Sequence, residues 1–161
     1  KFIPPKKGRK HILFIIREIL GFEPDSNGTD LNMVMRYMTN AIKKRCTAFL
    51  ISDFIDQDDY SKALQIANNK HDVVALQVFD ELSTKLVPVG LMKVRDPETG
   101  DVRWINTSSK KVRDQYELWW KKLQDNKNLA FRQSGVDSVS ISTEGDYVKS
   151  LLQLFQKRRK F

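Results

Sequence analysis

At 161 residues with 40% apolar side chains, the chain holds enough material for one globular domain with a sizeable core, which excludes a disordered tail. No stretch approaches the roughly 18 consecutive apolar residues of a membrane span, and Lys1-Phe2-Ile3-Pro4-Pro5 contains no signal-peptide apolar region. Lys plus Arg outnumber Asp plus Glu by 28 to 20, a net charge of +8, and the single cysteine, Cys46, rules out an intrachain disulfide. These features predict a soluble chain in a reducing, cytoplasmic compartment, with any membrane anchor confined to a longer parent. Cys46 opens an apolar run with no basic partner evident, so it is expected to be a small buried hydrophobe.

After the Pro4-Pro5 break, Ile12, Ile15, Ile16 and Ile19 recur at helical spacing, and Gly21 follows where a helix would end. Leu31, Val34, Met35, Met38, Ala41 and Ile42 repeat that spacing through Lys43. Cys46 to Ile51 and Val73 to Phe79 are short, nearly unbroken apolar runs, the pattern of parallel strands covered on both faces. Between them, Tyr60, Ala63, Leu64 and Ala67 mark one face of a helix over 58–70, which makes a βαβ unit. Leu91 to Arg95 and Val102 to Ile105 flank Asp96-Pro97-Glu98-Thr99-Gly100 and predict a β-hairpin, inserted over 88–106.

A long helix is expected over 107–127, with Val112, Tyr116, Trp119, Trp120 and Leu123 on its core face. Val136, Val139 and Ile141 alternate as a half-buried strand. Thr143 with Asp146 makes a capping-box-like start to a last helix carrying Val148, Leu151, Leu152 and Phe155. The order predicts an α/β fold of three layers with a mainly parallel, Rossmann-like sheet. Only three main-sheet strands are visible, so residues 1–161 are expected to form a single partial domain of a larger doubly wound unit.

Three cationic runs stand out: Lys6-Lys7-Gly8-Arg9-Lys10, Lys43-Lys44-Arg45 and Lys157-Arg158-Arg159-Lys160. They support an alternative function, a basic domain that binds nucleic acid or an anionic surface. Two of the runs sit at predicted helix C-termini, where cations complement the macrodipole, and this weighs against nucleic acid.

Two short stretches carry the chemistry. Gly28-Thr29-Asp30-Leu31 opens an amphipathic helix, and Phe49-Leu50-Ile51-Ser52-Asp53 is an apolar strand ending in an acid. Ligands of α/β sheets bind beyond the carboxyl ends of the strands, so a hydroxyl and a carboxylate aimed there point to a hard-cation site. Each has a structural alternative: Thr29 as a helix cap with Asp30 complementing the dipole, and Asp53 as a cap of the turn that follows.

In order along the chain, Pro4-Pro5-Lys6-Lys7-Gly8-Arg9, Gly28-Thr29-Asp30, Leu50-Ile51-Ser52-Asp53-Phe54, His71-Asp72-Val73-Val74-Ala75, Pro88-Val89-Gly90-Leu91 and Asp96-Pro97-Glu98-Thr99-Gly100 resemble the C-terminal portion of a von Willebrand factor A-like domain. The branch it is similar to is a bacterial domain of unknown function, associated with MoxR-type AAA ATPases and with proteins named for Bacteroides aerotolerance. The resemblance implies a metal-ion-dependent adhesion site for Mg²⁺ or Mn²⁺, completed by a partner's carboxylate. By motif, Thr29 matches the threonine of its second loop and Asp53 the aspartate of its third. The Asp-x-Ser-x-Ser of the first loop occurs nowhere in the sequence. The resemblance therefore implies a domain lacking its N-terminal strands and most of its metal shell, with no cofactor bound tightly by this chain.

Catalysis is not expected. His11 and His71 are the only histidines, and neighbouring Ser52 and Asp53 would point to opposite faces of a strand, which dismantles a triad with His71. The expectation is a non-enzymatic protein-interaction module, with a MoxR-type AAA ATPase as the partner the resemblance implies. The strand starting at Cys46 is expected to expose one edge, open to self-association or to packing of Phe2-Ile3 across it.

Overall fold

The computed structural model describes residues 2–23, 28–56, 58–96 and 100–159. Helices α1 (Arg9–Leu20) and α2 (Leu31–Ala41) precede strand β1 (Thr47–Ser52), and α3 (Ser61–Lys70) leads into β2 (Asp72–Phe79). The hairpin strands β3 (Leu91–Arg95) and β4 (Val102–Asn106) follow, and then α4 (Lys110–Ser134), β5 (Asp137–Ser142) and α5 (Tyr147–Arg158). The main sheet has the order β1-β2-β5, all parallel, in register from Thr47–Asp72 to Ser52–Gln77 and from Val74–Asp137 to Phe79–Ser142. β3 and β4 form a separate antiparallel pair. The expected three-layer α/β architecture is the one observed.

Strand order runs in one direction, so right-handed crossovers carry α3 and α4 to the same face of the sheet. On that face Ala48, Leu50, Val73 and Ala75 meet Leu64, Ala67, Ala130 and Phe131, with Leu31, Met35 and Met38 of α2 in the same cluster. On the other face α5 covers Val74 and Leu76 through Leu154, with Val139, Ile141 and Leu151 alongside. Val136 joins the first cluster and Val139 the second, so the residues expected to share one strand face serve opposite sides of the sheet. No residue of α1 is buried, although its apolar spacing is as predicted.

Several boundaries differ from expectation for local reasons. α2 stops at Ala41 rather than Lys43 because Ile42 turns extended. α3 starts at Ser61, after Asp59 has accepted hydrogen bonds from the Ser61 amide (2.9 Å) and hydroxyl (2.6 Å). α4 continues past Lys127 to Ser134, where Gly135 takes the left-handed conformation (φ 65°) that a side chain would resist. α5 is capped by Asp146, which accepts from the Lys149 amide (3.0 Å), while the Thr143 amide bonds Phe79 instead of forming a capping box.

Two polar side chains fasten the connections. Asn68 accepts from the Val73 amide and donates to the carbonyls of Ser134 and Gly135. Fully buried Thr107 closes the hairpin base, donating its hydroxyl to Gly90 (2.8 Å) and accepting from the Val89 amide (3.0 Å). Of the hairpin turn, residues 97–99 lie outside the described residues. Among the described residues no strand pairs with the free edge of β1, and Phe2-Ile3 forms none. No helix among them is long and apolar enough to cross a membrane.

Candidate functional site

The site grows from the exit of β1. The Ser52 hydroxyl oxygen accepts from the Phe54 amide (3.0 Å), and Asp53 accepts from the Ile55 amide (3.1 Å), so the chain turns sharply. Phe54 has φ 58°, the one positive value at a non-glycine position among the described residues. Left-handed backbone at such a residue costs about 1–2 kcal/mol, and a buried ring offsets it. Phe54 is 4% exposed and meets Phe131 edge-on at 5.0 Å. Reversing the backbone at Phe54 sends its ring inward and leaves Asp53 exposed beyond the strand's carboxyl end.

The loop is tied to α2 through Asp56, whose carboxylate accepts from the Leu31 amide (2.8 Å) and the Asp58 amide (2.9 Å). A carboxylate on a helix N-terminus meets free N–H groups and the positive end of the dipole. The cap itself is Asp30, accepting from the Met33 amide at 2.7 Å. Thr29 is exposed and does not cap the helix, so its structural alternative fails. The Thr29 and Asp53 loops thus lie at the same end of the molecule, joined by Asp56, which carries no expected role in the sequence. An Asp four residues past a strand gives no distinctive signal.

Beneath the loop, Tyr60 is 6% exposed and its hydroxyl has no hydrogen-bond partner. Burial, reinforced by the carboxylates of Asp56, Asp59 and Asp53, pushes its phenol up to about 12. Hydrogen bonds from Ser61 hold Asp59 below the usual carboxylate range. A buried polar network braces the same loop from the sheet side. Gln77 donates to the Asp53 carbonyl (3.4 Å) and to Gln124 (3.2 Å), and it accepts from the Ser140 hydroxyl (2.8 Å) and from Lys127. Burial pushes the Lys127 ammonium down to about 8.

Beside Asp53 opens a cleft of about 770 Å³, bounded by Asp53, Ile55 and Asp56, by Val94, Arg95 and Ile105 of the hairpin, and by Tyr116, Trp119 and Leu123 of α4. Trp119 is 49% exposed and stands 5.3 Å from the Tyr116 ring, a correction to the expectation of a core face there. The buried stretch of α4 is instead Lys127, Ala130, Phe131 and Ser134.

For a metal ion the fit is poor. Asp56 spends both oxygens on backbone amides, Asp53 spends one on Ile55, and no group of three or more His, Cys, Asp or Glu converges among the described residues. Mg²⁺ requires near-octahedral oxygen coordination, which Thr29 and one carboxylate do not supply. Ser52 and His71 lie at opposite ends of the sheet, one closing β1 and the other preceding β2. His71 is fully buried, and its Nδ1 is 3.5 Å from the sulfur of Cys46, which is half-buried. Cys46 therefore has the partner that its sequence neighbourhood conceals.

The chain matches the family described as "Protein of unknown function DUF58" over residues 1–126. It is 24% identical over 160 residues to the uncharacterized proteins Mb1516 of Mycobacterium bovis and Rv1480 of Mycobacterium tuberculosis, covering 98% of this chain and 50% of each of them. MAV169 of Mycobacterium avium is 22% identical over 160 residues, 98% of this chain and 94% of its own. The chain spans about half the length of the first two relatives. Its fold is similar to that of BatB from Bacteroides thetaiotaomicron, a conserved hypothetical protein, with a TM-score of 0.51 at 12% identity over 92% of this chain and 70% of that one. The family match takes in both loops of the rim and most of the cleft, and the chain belongs to the DUF58 family.

Proposed function

We propose that this chain is a non-enzymatic protein-interaction module of von Willebrand A-like type, docking its partner on the Asp53 loop and the cleft beside it. The observation that carries this reading is the left-handed Phe54, which holds an exposed carboxylate outward at an energetic cost offset by core packing. Backbone strain of this kind gathers at functional sites. The adjoining cleft adds what a protein partner uses, an aromatic and aliphatic floor with charged walls. Support for a MoxR-type AAA ATPase as partner comes from the sequence resemblance.

The test is calorimetry between the full-length protein and a MoxR-type ATPase. Asp53→Ala is expected to weaken binding by about tenfold or more, the scale of losing a central charged contact. Unchanged affinity would overturn the reading. This chain alone is expected to bind Mg²⁺ weakly, and tight stoichiometric binding would contradict the fit described above.

A further inference from the structure

Cys46 and His71 meet at the amino end of the sheet, a full strand length from the Asp53 loop, and nothing proposed for that loop uses them. Both are held by their backbones. The Cys46 carbonyl accepts from the Asp72 amide (2.9 Å), continuing the β1–β2 pairing, and the His71 amide donates to Ala67 (2.8 Å), which closes α3. Nδ1 of His71 is thereby set 3.5 Å from the Cys46 sulfur. His71 is fully buried and its Nε2 has no partner, so the ring works through Nδ1 alone. Cys46 is half-buried, at the border between that sealed ring and solvent. Lys70, just before His71, is turned to the Thr39 carbonyl, and Asp72, just after it, is held by Arg158 and by the Thr47 hydroxyl (3.3 Å). Among the described residues no carboxylate bonds the imidazole, which leaves the thiol as its side-chain partner. Lys43, Lys44 and Arg45, all exposed, lead directly into Cys46. Three residues of chain span at most about 11 Å, close to the screening length of about 8 Å at physiological salt, so an anion approaching the sulfur meets their field.

We propose that Cys46 and His71 form a nucleophile–base pair that reacts with a small anionic disulfide, making Cys46 a site of reversible modification. As the Cys46 sulfur attacks one sulfur of the disulfide, its proton passes to Nδ1 of His71. The new S–S bond forms, the old one breaks, and the departing thiolate takes the proton from Nδ1. Cys46 is oxidised and the departing thiol is reduced, so no other reactant is needed. The imidazolium formed in between sits at the carbonyl end of α3, where the helix dipole favours positive charge. Cys46 is the only cysteine, so no second thiol of the chain can displace the adduct. The mixed disulfide therefore persists until an outside thiol reduces it.

The experiment measures the rate of thiol release from two probes, anionic dithiobis-nitrobenzoate and neutral dithiodipyridine, each in excess over the folded chain at low salt. The reference is a peptide of residues 41–50 in the same buffer, which keeps the cationic run and an open thiol but has no His71. With the anionic probe the folded chain is expected to react faster than the peptide by about tenfold or more, the lower range of base assistance, although its cysteine is half-buried. His71→Asn is expected to remove that gain. The peptide comparison needs no variant, so it decides the matter even where His71→Asn does not fold. K43Q/K44Q/R45Q is expected to slow the anionic probe several-fold and to leave the neutral one unchanged, as should raising the salt. A folded chain that reacts more slowly than the peptide overturns the proposal, returning Cys46 to the role of a small packed hydrophobe. A folded His71→Asn variant as fast as the wild type overturns it too. Equal effects of K43Q/K44Q/R45Q on both probes would overturn the choice of an anionic reactant.

Discussion

The two faces of the sheet are finished to different degrees. Toward α3 and α4, Leu64 is 0% and Val73 1% exposed, whereas across the sheet Phe49 is 46% and Ile51 70% exposed although they alternate along β1 with half-buried Ala48 and Leu50. β1 and β2 are apolar on both faces over most of their length, so their composition alone promises equal cover, whereas β5 sets Ser138, Ser140 and Ser142 opposite Val139 and Ile141. Cover depends on where the crossover helices go, and handedness puts two of them on one side. Stability is therefore concentrated in the α3–α4 layer, while the β1 end of the α5 face is available for contact.

The sharpest way to break this comparison is truncation on each side. Leu64→Ala should cost about 2–5 kcal/mol in denaturant melts, as for other buried leucines, and a loss under about 1 kcal/mol would show that the α3–α4 face is looser than described. Next comes Lys127, the one buried lysine among the described residues. The folded amine releases its proton near 8, before the unfolded one near 10.5, so the unfolded chain holds more protons in between and stability rises with pH there. Below that window both forms are charged and the burial penalty stands in full. Tyr60 acts oppositely, keeping its proton up to about 12 while the unfolded phenol ionises near 10, so stability falls again above that point. From about pH 7.5 to 9.5 the wild type should gain about 2 kcal/mol, while Lys127→Met should stay flat. A smaller effect is expected at the outer layer, where Asp30→Ala should remove a helix cap at about 1 kcal/mol. Least of all, Ile51→Ser should change stability by no more than about 0.5 kcal/mol. A larger loss there would mean that the exposed face contributes to the core.

The architecture was legible because unbroken apolar runs and helical spacing are consequences of the same burial that builds the layers. Boundaries were less so. Asn126-Lys127-Asn128 looks like a helix end, but Lys127 is buried against Gln77, and the helix runs on until a glycine can turn left-handed. Asp53 was legible as an acid at a strand end. The Phe54 turn that presents it was not, since nothing in a Phe signals positive φ. His71 beside Cys46 and Asp56 on the helix N-terminus each join residues 25 apart; the first proximity exists only once the βαβ unit has closed, and the second only once α2 has packed against the exit of β1.

Asn68 links the first amide of the β2 core to the turn that launches β5. Because one carboxamide serves both connections, neither can open while the other stays shut without stranding polar groups. The two parallel strand pairs should therefore exchange their amide hydrogens as one cooperative unit, with Val73 and Val136 protected to the same degree.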